Sequence, residues 1–268
     1  MLRRQVLALP AAIAAAGLTG ARAAVPDVDP VLMAAVNGAQ RSAKNVARDP
    51  WRHPAQTLTF WGLRPGMLVV EIDPSGGYWT EILAPYLKFA GGRYVAAVEG
   101  DPAAFAGKYA DEATWGKIDV VRFGGGPLGP AGSADMVITA RNIHDWMWTR
   151  GELDRALADF HAVLRPAAVL AVEEHRADPR PMRAEAHDGY VATSWLVAAV
   201  TKAGFALDAS SEVNANPRDD KDHPFGVWTL PPTLRSHEKD KPVPPDYDQA
   251  KYLAVGESDR MTLRFRRT

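Results

Sequence analysis

Two short strings carry the side chains best suited to chemistry. Arg141-Asn142-Ile143-His144-Asp145-Trp146 sets an imidazole beside a carboxylate and an amide. Imidazole titrates near neutral pH, so His144 suits a general base. Asp145 either orients that histidine or binds a cation, and Asn142 offers an amide to a ligand. The bland alternative is a helix start, with Asp145 as its N-cap and Trp146 as a core anchor. The second string is Glu173-Glu174-His175. Consecutive charges are costly to bury unless paired. They are expected at a strand exit, where His175 would join His144 and Asp145 on one rim. Such oxygen and imidazole ligands can hold a divalent ion, but the spacing is no diagnostic metal signature and no metal is assigned. His187 and His223 read as surface histidines, and Arg260 as the partner of a nearby acid.

A third string, Glu71-Ile72-Asp73-Pro74-Ser75-Gly76-Gly77-Tyr78, follows an apolar run and precedes a helix-like stretch. In a doubly wound sheet the loop after the first strand lets backbone approach a ligand, which calls for glycine. Two positions of this loop hold Asp73 and Ser75 instead. An L-residue disfavours positive φ there, although Asp tolerates it better than most. Glu99, ending the next apolar run, can accept two hydrogen bonds at once, and Asp101 can cap the helix behind it; the alternative for both is a solvated loop acid.

These residues need a scaffold. Residues 30–47 have helical spacing, and residues 54–63 read as a second short helix. A βα alternation then begins. Strands are expected over residues 67–73, 93–99, 118–123, 134–140, 167–173 and 205–213, with helices over 78–88, 102–109, 151–164 and 189–203. The strands are short, rich in Val, Ile, Leu and Ala, and unalternating, as in a parallel sheet covered on both faces. Residues 261–266 alternate and read as a final antiparallel strand. The expected architecture is a Rossmann-like, doubly wound, mostly parallel seven-stranded α/β sheet with helices on both faces. Residues 24–65 form a helical segment and 66–268 the main domain. A polar, Pro-rich insertion over 214–257 precedes the last strand, either a lid or a surface loop, with a short strand expected at 227–230. Trp79, Trp146, Trp148 and Trp228 fall near loop ends, where they either wall a flat, apolar substrate or simply pack.

From about Arg48 onward the chain resembles the class I S-adenosylmethionine-dependent methyltransferases, and more closely an exported methyltransferase-like family of proteobacteria. The segments that carry this are RDPWRHPAQTLTFWGLRPGMLVVEIDPSGGYWTEILAPYL, ARNIHDW, SEVNANPRDDKDHPFGVWTLPP and GESDRMTLRF. The resemblance implies a loop of the form E-x-G-x-G-x-G. Glu71 and Gly77 match it, Gly76 is an extra glycine, and Asp73 and Ser75 depart from it. It also implies S-adenosylmethionine as cofactor, held by Glu71, Asp73, Ser75, Gly76, Gly77, Tyr78, Glu99 and Asn142. His144, Asp145 and His175 are the expected catalytic groups, acting on a small molecule. The alternative is a repurposed fold that works without cofactor, as a lyase or hydrolase.

Composition narrows the classes. The 268 residues carry a formal net charge of −1, without the basic excess of a general nucleic-acid binder, and contain no cysteine. Residues 1–23 begin with Arg3 and Arg4, continue as an Ala- and Leu-rich run and end in Ala21-Arg22-Ala23. This reads as a removable export signal, cleaved near Ala23, with a twin-arginine-like start. A periplasmic or secreted protein without a stable membrane anchor is expected, and export separates it from the cytoplasm where S-adenosylmethionine is made.

Overall fold

The structure is a computed structural model, and it describes residues 29–182 and 186–268. The expected export signal lies outside the described residues. Four short helices come first: α1 (Pro30–Val36), α2 (Ala43–Val46), α3 (Asp49–Arg52) and α4 (Pro54–Trp61). Then follow β1 (Leu68–Ile72), α5 (Thr80–Phe89), β2 (Arg93–Val98), α6 (Pro102–Lys108), α7 (Glu112–Trp115), β3 (Ile118–Arg122) and β4 (Ala134–Ala140). The second half holds α8 (Ile143–Trp146), α9 (Glu152–Val163), β5 (Leu164–Ala177), β6 (Val191–Ala192) and α10 (Thr193–Lys202). It closes with β7 (Phe205–Ser211), α11 (Gln249–Val255) and β8 (Arg260–Arg267).

The sheet runs β3-β2-β1-β4-β5-β8-β7, with the two-residue β6 paired beside β5. Only β8 runs against its neighbours, antiparallel to both β5 and β7. Strand order reverses between β1 and β4, which places a crevice beyond their C-terminal ends. Alternate residues of each strand serve opposite faces. Val70, Ile72, Val137 and Leu170 face α9 and α10, while Val69, Met136, Ile138 and Ala171 face α1, α4 and α5. Helix α9 shows why it lies where it does. Leu153, Ala156, Leu157, Phe160 and Val163 recur at helical spacing and are all buried. Truncating Phe160 to Ala would cost about 3–5 kcal/mol.

Four sequence expectations need correction. The helical spacing over 30–47 is broken into α1 and α2. Residues 227–230 form no strand, because a 3-10 turn runs over Gly226–Thr229. The helix expected from residue 189 starts at Thr193, because Val191 and Ala192 pair with Arg176 and Ala177 of β5. Finally, β5 does not end at Glu173. It runs on to Ala177 because β8 supplies partners, with Glu173 opposite Thr262, Glu174 opposite Met261 and His175 opposite Arg260. The 214–257 segment folds back over the sheet rim, and α11 within it had no sequence expectation.

Candidate functional site

The loop after β1 keeps its left-handed backbone without the expected glycines. Asp73 has φ 39°, Ser75 φ 49° and Gly77 φ 84°. Gly77 is required by packing, since a Cβ there would lie 1.8 Å from the hydroxyl of Tyr109, the residue that ends α6. Lys108 Nζ donates to the Gly76 carbonyl at 3.2 Å. Glu71 and Tyr78 lie inside the protein. The Glu71 carboxylate accepts from the Tyr94 and Thr80 hydroxyls, and burial pushes its pKa up to about 7 against those bonds. Tyr78 donates to Asp49 at 2.7 Å, and the Arg52 guanidinium lies 4.5 Å from its ring centre. These two residues fasten the N-terminal helices and the loop rather than presenting groups to a crevice.

Asn142 spans the switch point. Its amide donates 2.9 Å to the Ile72 carbonyl at the end of β1. Glu99 is exposed at the end of β2, and one of its oxygens accepts from Trp146 Nε1 at 3.0 Å. Asp73 is raised in pKa by partial burial and by Glu99 and Asp145 nearby. Asp145 is raised likewise, by burial and by Glu174 and Glu99, with His144 opposing. Three carboxylates therefore crowd the mouth of the crevice. Such a rim suits a ligand with hydroxyl, ammonium or sulfonium groups, so the residues present fit the polar and cationic parts of S-adenosylmethionine.

The two histidines come together with opposite character. Their rings lie 5.0 Å apart. Glu174, fully buried, accepts from the backbone N–H of Ile143 at 2.8 Å, of His144 at 3.2 Å and of His175 at 2.8 Å. It thereby caps α8, the role the sequence offered to Asp145. Its remaining contact is His144 Nδ1 at 2.9 Å. An ionised carboxylate only accepts, so Nδ1 carries a proton, and Nε2, the other ring nitrogen, lies 3.4 Å from Asp145 Oδ1. Burial pulls the His144 pKa down, but Glu174 and Asp145 outweigh it and the net shift is upward. His175 contacts Ser258 Oγ through Nδ1. Burial, His144 and the cations Arg141, Arg260 and Arg52 drive its pKa well below the usual value. His144 can take up a proton and His175 resists one. With four bonds already made, Glu174 has little capacity left to ligate a metal.

His144, His175 and Arg141 line a recess of about 130 Å3, closed on one side by Trp228 and Pro231. Trp228 also walls a neighbouring cleft of about 470 Å3 with Trp148, His187 and Arg235. That volume suits a small ligand. Of the four tryptophans singled out in the sequence, Trp79 and Trp146 are core, while Trp148 and Trp228 wall this cleft. His187 is exposed beside it, as expected. His223 is not a surface histidine, since its ring is enclosed and held 2.8 Å from Asp219. Arg260 pairs with Glu173 at 2.7 Å and Glu257 at 3.0 Å. The role of Glu174 was missed because nothing in its sequence position distinguishes it from Glu173.

No protein-family model matches the sequence, and no curated protein does. Solved structures do resemble it. An S-adenosylmethionine-dependent methyltransferase from Aquifex aeolicus aligns with TM-score 0.52 and 17% identity, over 63% of this chain and 87% of that one. The [4+2]-cyclase SpnF aligns with TM-score 0.55 and 16% identity, over 86% and 84%. A sarcosine dimethylglycine methyltransferase, so described provisionally, from Galdieria sulphuraria gives 0.52 and 13%, over 82% and 84%. The chain has the Rossmann-like fold of the class I S-adenosylmethionine-dependent methyltransferases.

Proposed function

We propose that the chain is an S-adenosylmethionine-dependent methyltransferase that acts on a small molecule. The observation that carries this is the His144–Glu174 pair, which fixes the His144 ring at the recess beside the switch point of a methyltransferase fold, with Nε2 3.4 Å from Asp145 Oδ1. When bound, the cofactor supplies an electrophilic methyl group on a sulfonium. Glu99 would accept from its ribose hydroxyls, and Asp73 and Asp145 would face its positive charges. The protein's own part is to orient an acceptor and take its proton. His144 accepts that proton at Nε2, while Glu174 fixes the ring and stabilises the imidazolium. His175, kept neutral, serves as a hydrogen-bonding wall. The cleft between Trp148 and Trp228 receives a flat or apolar acceptor. We further propose that residues 1–23 are removed on export to the periplasm. Among the described residues no helix is long and apolar enough to cross a membrane.

A second reading is favoured by Tyr109 and Lys108, which cover the glycines of the loop, and by the presence of a named cyclase among proteins of this fold. In it the same rim works without cofactor. Calorimetric titration of the purified chain with S-adenosylmethionine and S-adenosylhomocysteine separates the two. Micromolar binding, weakened at least tenfold in Glu99→Ala, supports methyl transfer. No binding at millimolar ligand to a folded protein removes it in favour of the cofactor-free reading.

A further inference from the structure

Four arginines converge beneath the recess with too few acids to match them. Glu257 accepts from Arg48 Nε at 2.6 Å, Arg52 Nε at 2.9 Å and Arg260 Nη1 at 3.0 Å. Glu173 accepts from Arg260 Nη1 at 2.7 Å. Arg141, the fourth, lines the recess. Its backbone is left-handed, with φ 63°, and its N–H is fixed on the Glu173 carbonyl at 2.8 Å. Its side chain makes no hydrogen bond or ion pair among the described residues.

The imbalance is visible atom by atom. Arg52 is fully buried, yet among the described residues both its terminal nitrogens lack a hydrogen-bond partner. So do Arg48 Nη2, Arg141 Nε and Arg260 Nε. Among the described residues, one free buried carboxylate oxygen, Glu173 Oε2, stands against these five nitrogens. Water can satisfy a donor, but it cannot neutralise a charge. A buried excess of cation is costly unless an anion completes the group. The field registers on neighbouring groups. Burial, then the Arg141 charge, lowers Arg52 to about 9, and Arg141 is lowered in its turn by burial and by Arg48.

We propose that the recess is an anion site, in which a carboxylate of a small molecule seats on Arg141 with the charge of Arg52 behind it. This rests on the methyl-transfer reading for the identity of the acceptor but not for the existence of the site. A planar carboxylate matches the guanidinium fork. A dianion fits less well, because Asp145 and Glu257 also border the recess. Arg141 stands three residues before His144, and Trp228 joins the recess to the aromatic-walled cleft. An acceptor would then lie with its carboxylate on Arg141, its nucleophilic hydroxyl toward His144 Nε2 and its flat body against Trp148 and Trp228. The class is a small aromatic hydroxy acid. The same carboxylate chemistry also belongs to the amino-acid end of the cofactor.

The test uses the full chain and calorimetry, with thermal unfolding to monitor the fold. The probes are 4-hydroxybenzoate, its uncharged amide, S-adenosylhomocysteine, and 5′-methylthioadenosine, which lacks the amino-acid end. The variant is Arg141→Asn, because asparagine tolerates the left-handed backbone. An acceptor site gives at least about tenfold preference for acid over amide, the worth of one charge-assisted hydrogen bond, and the variant abolishes it. A cofactor-carboxylate site leaves acid and amide equal, while Arg141→Asn weakens S-adenosylhomocysteine about tenfold and leaves methylthioadenosine unchanged. Either result sustains the anion site. Equal binding of acid and amide, with S-adenosylhomocysteine unaffected by the variant, overturns it. Should the variant unfold, wild-type comparisons decide alone: no preference for acid over amide, and none for S-adenosylhomocysteine over methylthioadenosine, overturns the site equally. Failure of S-adenosylhomocysteine to bind while the acid preference persists overturns only the methyl-transfer reading.

Discussion

Replacing Glu174 with Gln perturbs the group on which the reading of His144 depends. In the structure one carboxylate oxygen accepts from the N–H groups of Ile143 and His144. The other accepts from the His175 N–H and the His144 ring. A carboxamide has the same shape but only one accepting oxygen. Whichever way it turns, two donors then face an NH2. If that NH2 faces the ring, Nδ1 must become the acceptor and the proton moves to Nε2, which removes the base from the recess. If it faces α8, the helix loses its cap, at about 1 kcal/mol. Breaking a buried charged pair costs about 3–5 kcal/mol in general. A stability loss of about 3 kcal/mol or more is expected in urea unfolding. The pH dependence has a definite sign. The folded pKa of His144 is raised, so its contribution is fully present below the unfolded value of about 6.5 and fades as pH rises through the folded value. The stability gap between wild type and variant should therefore narrow on going from about pH 5.5 to about pH 8.5. In parallel, an NMR titration of the ring should find the His144 midpoint lower in the variant, because burial is then less opposed. A midpoint that stays at or above the wild-type value would refute the assignment of Glu174 as the group that holds the imidazolium.

Glu71 gives a second linkage prediction. Its pKa is raised from 4.5 to about 7, so its burial favours the folded state fully below pH 4.5 and that advantage is lost as pH rises through about 7. Relative to Glu71→Gln, wild type should lose roughly 3 kcal/mol between about pH 4 and pH 8.5; a flat difference across chemical unfolding curves in that range would be incompatible with a buried, protonatable Glu71. Tyr109 gives a prediction of opposite flavour, because its hydroxyl is enclosed without a partner among the described residues. Tyr109→Phe should leave stability unchanged or raise it by about 1 kcal/mol, and a loss above about 1 kcal/mol in thermal or urea unfolding would reveal a bond to that hydroxyl.

The sheet was legible because a doubly wound fold leaves short apolar runs between turn signals, and β1 to β4 began and ended close to where those runs do. What the sequence concealed has physical causes. Glu173, Glu174 and His175 look like a polar strand exit, yet β8 extends the ladder over them, and Arg260, the α8 N–H groups and Ser258 supply partners to their side chains in turn. Val227-Trp228-Thr229-Leu230 has strand-like composition, but it coils into a 3-10 turn with Trp228 turned toward His144, ring centres 5.7 Å apart. The left-handed backbone at Asp73 and Ser75 was foreseeable from the loop pattern. The arginine group was not, because Arg48, Arg52, Arg141 and Arg260 come from three distant parts of the chain and share no spacing.

Placing opposite fields on two histidines 5.0 Å apart has a consequence for how the site works. His144 draws its basicity from Glu174 and Asp145, and Arg141 is the charge that opposes them. Burial and the neighbouring His144 hold His175 neutral first, and the same Arg141 charge adds to them, with Arg260 and Arg52. An anion seated on Arg141 offsets its charge, so the opposition felt by His144 weakens when the recess is filled and Nε2 becomes a stronger base. His175 stays enclosed by burial and by Arg260 and Arg52, so it remains a poor proton acceptor. The occupant thereby strengthens proton acceptance at His144, which stays the more basic ring because burial, Arg260 and Arg52 still hold His175 down.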